Sequence, residues 1–127
     1  MAFDPGAVGR AFSEHRFDEA LDHLADDVRW TIVGYMVLEG ADAVRHTCLE
    51  TLESLSDTTT TYDRCVVAAG ADAVAVDTFA RYTGPDGTTA VASCDIYEFN
   101  GSKIAAITSY AVEVVDPESA GAQPPPR

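Results

Sequence analysis

Basic residues are scarce in this chain: 8 Lys and Arg stand against 21 Asp and Glu, a formal charge of −13. So acidic a surface repels phosphate backbones and anionic headgroups, which removes nucleic acid and membrane surfaces from the expected partners. Long apolar runs are missing too, and none approaches the ~20 residues that span a bilayer. The opening Met1-Ala2-Phe3-Asp4-Pro5 lacks the basic start and apolar stretch of a signal peptide, so a cytoplasmic protein is expected. Cysteine is sparse. Cys48, Cys65 and Cys94 share no Cys-x-x-Cys spacing, and reduced, mostly buried thiols are expected rather than a disulfide. Of the histidines, His15 and His23 fall on the first helical segment and His46 off the apolar face of a later helix, which reads as solvated. No pair has ligand spacing with a third donor, so neither a metal nor another cofactor is expected. A glycine-rich phosphate loop and a serine nucleophile elbow are absent as well.

What remains is ordinary globular material: 127 residues, 46% hydrophobic and 23% charged, enough for one core and too little for two. Asp4 before Pro5 reads as a helix N-cap with proline at the first helical position. Val8, Ala11 and Phe12, then Phe17, Ala20, Leu21 and Leu24, recur three and four apart. This predicts two helices, or one broken helix, over about residues 5–25. Residues 28–33 alternate as a first strand, and 34–40 form a connector carrying Tyr35 and Met36. Residues 41–56 give a second amphipathic helix with Val44, Cys48, Leu52 and Leu55 on one face.

From Thr58 onward the period changes to two. Strands are predicted over 59–69, 74–82, 88–99 and 104–115, separated by turns at Gly70-Ala71-Asp72, Gly84-Pro85-Asp86-Gly87 and Asn100-Gly101. Such short links permit only an antiparallel meander. Helices first and strands afterwards indicate an α+β fold with the helices on one sheet face. Residues 1–115 form a single domain in this reading. The stretch 116–127, proline-rich and without core-forming residues, is expected to be a flexible tail.

The order of elements resembles the nuclear transport factor 2-like superfamily, which includes ketosteroid isomerases, SnoaL-like polyketide cyclases and limonene epoxide hydrolases. Three segments carry the resemblance: Phe17 to Val28, Glu39-Gly40-Ala41-Asp42-Ala43-Val44, and Cys94-Asp95-Ile96-Tyr97-Glu98-Phe99-Asn100-Gly101 through Ile104. It implies a curved antiparallel sheet closing with its helices around a cone-shaped pocket for a hydrophobic small molecule. Asp95 falls where ketosteroid isomerases keep a carboxylic acid in the oxyanion hole. That family's catalytic base would fall near Ile32 and its helix tyrosine near Val8, and neither residue moves a proton. The Arg-x-Asp pair of the epoxide hydrolases would fall near Ala75 and Asp77, and their second acid near Ser109. An isomerase, cyclase or hydrolase without a cofactor is therefore the expected class, with a non-catalytic binding or accessory dimer as the alternative.

Asp95 is the first candidate for proton transfer. An ionised carboxylate amid Ala92, Cys94 and Ile96 is costly unless paired. Strand alternation puts Val91, Ser93, Asp95, Tyr97 and Phe99 on one face, the pocket face by resemblance. The competing reading pins Asp95 on a neighbouring strand's hydroxyl or on Arg81. Asp77 is the second candidate. Symmetric pairing of the hairpin puts it opposite Cys94 on the outer face, beside Arg81, whereas one bulge would bring it next to Asp95. Trp30, Tyr35, Met36, Thr47, Ser93, Tyr97, Ile107 and Ser109 are the expected substrate-binding residues. Ala75, Phe79, Cys94, Ile96, Tyr110 and Val112 give the other sheet face enough apolar surface for a homodimer.

Overall fold

The computed structural model describes residues 3–115; the expected tail over 116–127 lies outside the described residues. Helix α1 (Pro5–Ser13) begins as anticipated, with Asp4 Oδ1 accepting the Ala7 N–H at 3.1 Å. It ends in a Schellman turn. The His15 N–H bonds to the Phe12 carbonyl at 3.1 Å and the Arg16 N–H to the Ala11 carbonyl at 2.8 Å. The residue in the left-handed position of such a turn is usually glycine. Here it is His15, with φ of 63°.

The predicted second helical segment forms in 3₁₀ rather than α geometry. Phe17–Glu19 and Leu21–His23 are single 3₁₀ turns, and β1 (Leu24–Ile32) starts at once. A spacing of three serves a 3₁₀ turn as well as an α-helix, so Phe17, Ala20 and Leu24 still reach the core. The connector also differs from expectation: Met36–Glu39 is a short strand, β2, antiparallel to β1. Helix α2 (Ala41–Ser54) follows Gly40, whose φ of 92° reverses the chain. It buries Ala41, Val44 and Cys48. Leu52, expected on that buried face, is 42% exposed, so the C-terminal half of α2 overhangs the core rather than sealing it.

Strands β3 (Thr59–Ala69), β4 (Ala73–Gly84), β5 (Gly87–Asn100) and β6 (Lys103–Val114) form the predicted antiparallel meander. The whole sheet is mixed, in the order β2-β1-β6-β5-β4-β3, because β1 lies parallel to β6. One helix, α2, and four strands, β2 to β5, separate β1 from β6, ample chain for a parallel crossover. The sheet stays open, and α1 packs on β3, β4 and β5 while α2 packs on β1 and β2. Tyr97, Ile104, Ile107, Val28, Val44 and Val74 fill the space between the layers.

One glycine sets how closely α1 sits on the sheet. A Cβ on Gly9 would lie 3.0 Å from Tyr97 Cδ2 and 3.3 Å from Val74 Cγ1. The helix therefore rides directly on the Tyr97 ring. One turn further on, Phe12 meets Phe17, Trp30 and Tyr97 edge-on, with centroids 5.1, 5.2 and 5.6 Å apart. Each such pair contributes about 0.5–1.5 kcal/mol beyond its buried area. This clamp holds the last turn of α1 against the middle of β5.

Candidate functional site

The clamp places Ser13 over two residues of β5. Ser13 Oγ donates to Asp95 Oδ2 at 2.8 Å and lies 2.6 Å from Tyr97 Oη. A serine carries one hydroxyl proton, so with Asp95 ionised the chain runs from Tyr97 to Ser13 to Asp95. From the other side, Asp95 stands opposite Ser109 in the β5–β6 register. Trp30 Nε1 donates to Ser109 Oγ at 2.9 Å, which leaves that hydroxyl's own proton for the carboxyl. Below them, Thr78 and Ser93 share a hydrogen bond of 2.8 Å. The surroundings of Asp95 are thus hydroxyls and rings, with no guanidinium or ammonium bonded to it among the described residues.

This environment favours the neutral acid. Burial pushes the Asp95 carboxyl above the ordinary aspartate range. Hydrogen bonds from Ser109 and Ser13, the nearby His15 and the Tyr97 hydroxyl pull it back only in part. His15 responds inversely: burial lowers its pKa, and the charge of Asp95 raises it. Tyr97 is held protonated, first by burial and then by the negative charge of Asp95.

Asp95 and His15 line one hollow of about 180 Å³ between the end of α1 and strands β1, β4, β5 and β6. Phe12, Phe17, Trp30, Val91 and Ala111 supply its apolar wall, and Ser13, Thr51, Tyr82, Ser93 and Ser109 its polar groups. A second, more open cleft of about 400 Å³ adjoins it, sharing His15, Thr51, Tyr82 and Val91 and continuing over Ser54, Leu55 and Thr89. The overhanging end of α2 forms its roof. Larger surface hollows lie elsewhere, such as one of about 530 Å³ near Asp26, Asp27 and Lys103. That one contains neither buried acid nor aromatic wall, so the chemistry favours the smaller cavity.

Of the residues expected from sequence, Asp95, Trp30, Ser93 and Ser109 come together here. Tyr97 is fully buried behind Ser13 and acts on Asp95 both through it and by its own hydrogen bond, and Ile107 is core. On α2 the lining residue is Thr51, one turn beyond Thr47, whose carbonyl accepts the Thr51 hydroxyl at 2.9 Å. Tyr35 and Met36 do not reach the hollow. The β1–β2 turn carries them outward, 83% and 47% exposed.

Asp77 does not join Asp95 either. The β4–β5 register runs without a bulge from Ala73↔Glu98 to Gly84↔Gly87, so Asp77 faces the outer side opposite Cys94. There Arg64 Nε donates to Asp77 at 3.0 Å, while Arg81, its expected partner, donates to Asp63 at 2.6 Å. The bulge that does occur, between Tyr62 and Arg64 in β3, delivers these partners. The three cysteines are free, but only Cys48 is buried; burial pushes its thiol up to about 12.

Sequence reasoning missed Ser13, His15 and Tyr82. His15 reads as a surface residue at the end of a helix. Only its left-handed backbone turns the imidazole inward, 6.2 Å from the Tyr82 ring in a stacked arrangement. The available signal was the absence of glycine just after α1, where a helix followed by a reversal favours one. Among the described residues no three His, Cys, Asp or Glu side chains converge as a metal site, and no helix is long and apolar enough to cross a membrane.

Comparison with known proteins agrees with this architecture. An NTF2-like protein of unknown function from Cytophaga hutchinsonii is 27% identical, with a TM-score of 0.73 over 84% of this chain and 94% of that one. An LEH-like epoxide hydrolase from M. tuberculosis shares the fold at 17% identity, TM-score 0.59, over 84% of this chain and 77% of that one. A Mesorhizobium loti protein, provisionally described as a SnoaL-like polyketide cyclase, does so at 15% identity, TM-score 0.61, over 82% and 92%. No curated protein matches the sequence. The model of the SnoaL-like domain matches residues 7–107, most of the two-layer structure described above, and the chain belongs to that family.

Proposed function

We propose that this protein is an enzyme working without a cofactor, which moves a proton at a carbonyl or enol of a hydrophobic small molecule. Isomerisation, cyclisation and hydrolysis are the reactions that such chemistry serves. The observation that carries the reading is Asp95: a carboxyl raised by burial, held by hydroxyls, bonded to no Arg or Lys among the described residues, and facing a hollow with an imidazole on its rim. In its neutral form Asp95 donates a hydrogen bond or proton to a substrate oxygen. Ionised, it takes a proton back, and the Tyr97–Ser13 relay holds the charge meanwhile. His15, its pKa lowered by burial so that the neutral imidazole is favoured, is the second group able to exchange a proton. It supplies what Ile32 cannot.

The proposal is tested with an enolisable cyclic ketone in deuterated water. Wild-type protein is expected to accelerate exchange of the hydrogens beside the carbonyl, and Asp95→Asn to lose roughly 10²–10⁴ of that rate with folding intact. Exchange no faster than in buffer, or undiminished in the variant, sinks the reading in favour of a ligand-binding module. That second reading draws on Ile32 and Val8, which leave two chemical positions of related enzymes empty. Under either reading we propose a homodimer through the outer sheet face, where Tyr110 and Val112 stand 49% and 66% exposed and Val66, not among the expected residues, 44%, while the expected Phe79 is buried. Its check is the mass in solution.

A further inference from the structure

The two adjoining hollows differ in size and chemistry, and the difference constrains what fits. The inner one holds about 180 Å³ and is lined by Asp95 together with Ser13, His15, Ser93 and Ser109. An apolar cavity of about 150 Å³ accepts one benzene, so the inner hollow takes one six-membered ring with a heteroatom and little more. The outer cleft, about 400 Å³, has a mostly apolar surface and opens past Leu55 and Val91. Among the described residues, neither is lined by an Arg or Lys. A carboxylate or phosphate head would meet Asp95 and, as its one cationic candidate among the described lining residues, the His15 imidazole, whose charged form burial disfavours, in a protein already carrying −13.

Resting on the reading of this hollow as the ligand site, we infer that the ligand is a neutral, two-part molecule. Its head is a single ring whose oxygen reaches Asp95, and its tail is an apolar extension lying in the outer cleft. Trp30 stacks the wall against the head ring, while Ser13 and Ser109 flank the oxygen. The residues shared by both hollows mark the passage between head and tail, and they include His15. This places the imidazole beside the ring atom that bears the extension.

The chain carries its own reporter. Trp30 is the sole tryptophan and lines the inner hollow. The experiment is a titration of Trp30 fluorescence with phenol and its 4-propyl, 4-pentyl and 4-heptyl derivatives, alongside 4-pentylbenzoate, at pH 7. Saturable responses are expected for the phenols, with the dissociation constant falling roughly two- to fourfold per methylene as the tail fills the cleft. The benzoate is expected to bind at least about tenfold more weakly than 4-pentylphenol. Leu55→Asp, at the half-exposed end of α2, should flatten the chain-length dependence and leave phenol itself unchanged. Ala111→Phe, at the exposed rim of the inner hollow, should weaken all members alike. No saturable response, equal binding of the benzoate, or an unaltered chain-length dependence in Leu55→Asp overturns the inference. This readout needs no turnover. Selective phenol binding without ketone exchange would remove the enzymatic reading alone, whereas exchange without head-and-tail selectivity would remove this one alone.

Discussion

Asp77 and Asp95 sit on neighbouring strands, separated by one ladder step and by the thickness of the sheet, and the fold treats them oppositely. On the outer face Asp77 receives a guanidinium from Arg64, and Asp63 receives another from Arg81. On the inner face Asp95 receives hydroxyls only, and burial raises its pKa. A half-exposed ion pair adds at most about 1 kcal/mol of stability. A buried acid without a cation is a poor choice for stability and a good one for proton transfer. Residue type alone does not separate the two; the side of the sheet does.

The sharpest way to break the comparison is to neutralise each acid in turn. Asp95→Asn should cost roughly 10²–10⁴ in proton-exchange rate. Asp77→Asn should leave the rate unchanged and lower stability by no more than about 1 kcal/mol in urea unfolding. Equal effects on rate would erase the distinction.

Gly9→Ala probes how the inner face is positioned. In an open helix this change stabilises by about 1 kcal/mol. Here the new Cβ would press on the Tyr97 ring at 3.0 Å, so a net loss of about 1–3 kcal/mol is expected, with Ser13 displaced from Asp95. Unfolding midpoints decide the sign. Tyr97→Phe removes the start of the hydroxyl relay and should cost about 1–2 kcal/mol. It should also raise the Asp95 pKa further, since the Tyr97 hydrogen bond favours the ionised carboxyl. An unchanged titration would show that Ser13 acts without Tyr97.

Much of this was legible in the sequence because it depends on period and turns. The alternation of Val91, Ser93, Asp95 and Tyr97 placed them on one face, and the Gly84–Gly87 turn set a register that needed no bulge. The parallel β1–β6 contact was not legible, since strand neighbours distant in sequence leave no local mark. Nor was the 3₁₀ path through Phe17–His23, because spacing by three suits both helix types. His15 stayed hidden for a subtler reason: its direction depends on one dihedral angle that only the Schellman turn imposes.

That strained position yields the prediction with the smallest effect. His15→Gly relieves a left-handed non-glycine residue and should raise stability by about 0.5–1 kcal/mol while diminishing exchange activity. Greater stability with full activity would remove His15 from the chemistry.

The central claim is that Asp95 holds its proton more tightly in the folded protein than in the unfolded chain. Protonation then favours folding. This stabilisation is complete below the ordinary aspartate value of about 3.9 and is lost as pH rises through the raised value. The direct measurement is an NMR titration of the Asp95 side-chain carboxyl carbon, assigned by its absence in Asp95→Asn. The account predicts a midpoint clearly above about 3.9 and an Asp95→Asn protein more stable than wild type at neutral pH, with that advantage fading on acidification. A midpoint at or below the ordinary value, with Asp95→Asn less stable at neutral pH, would contradict it.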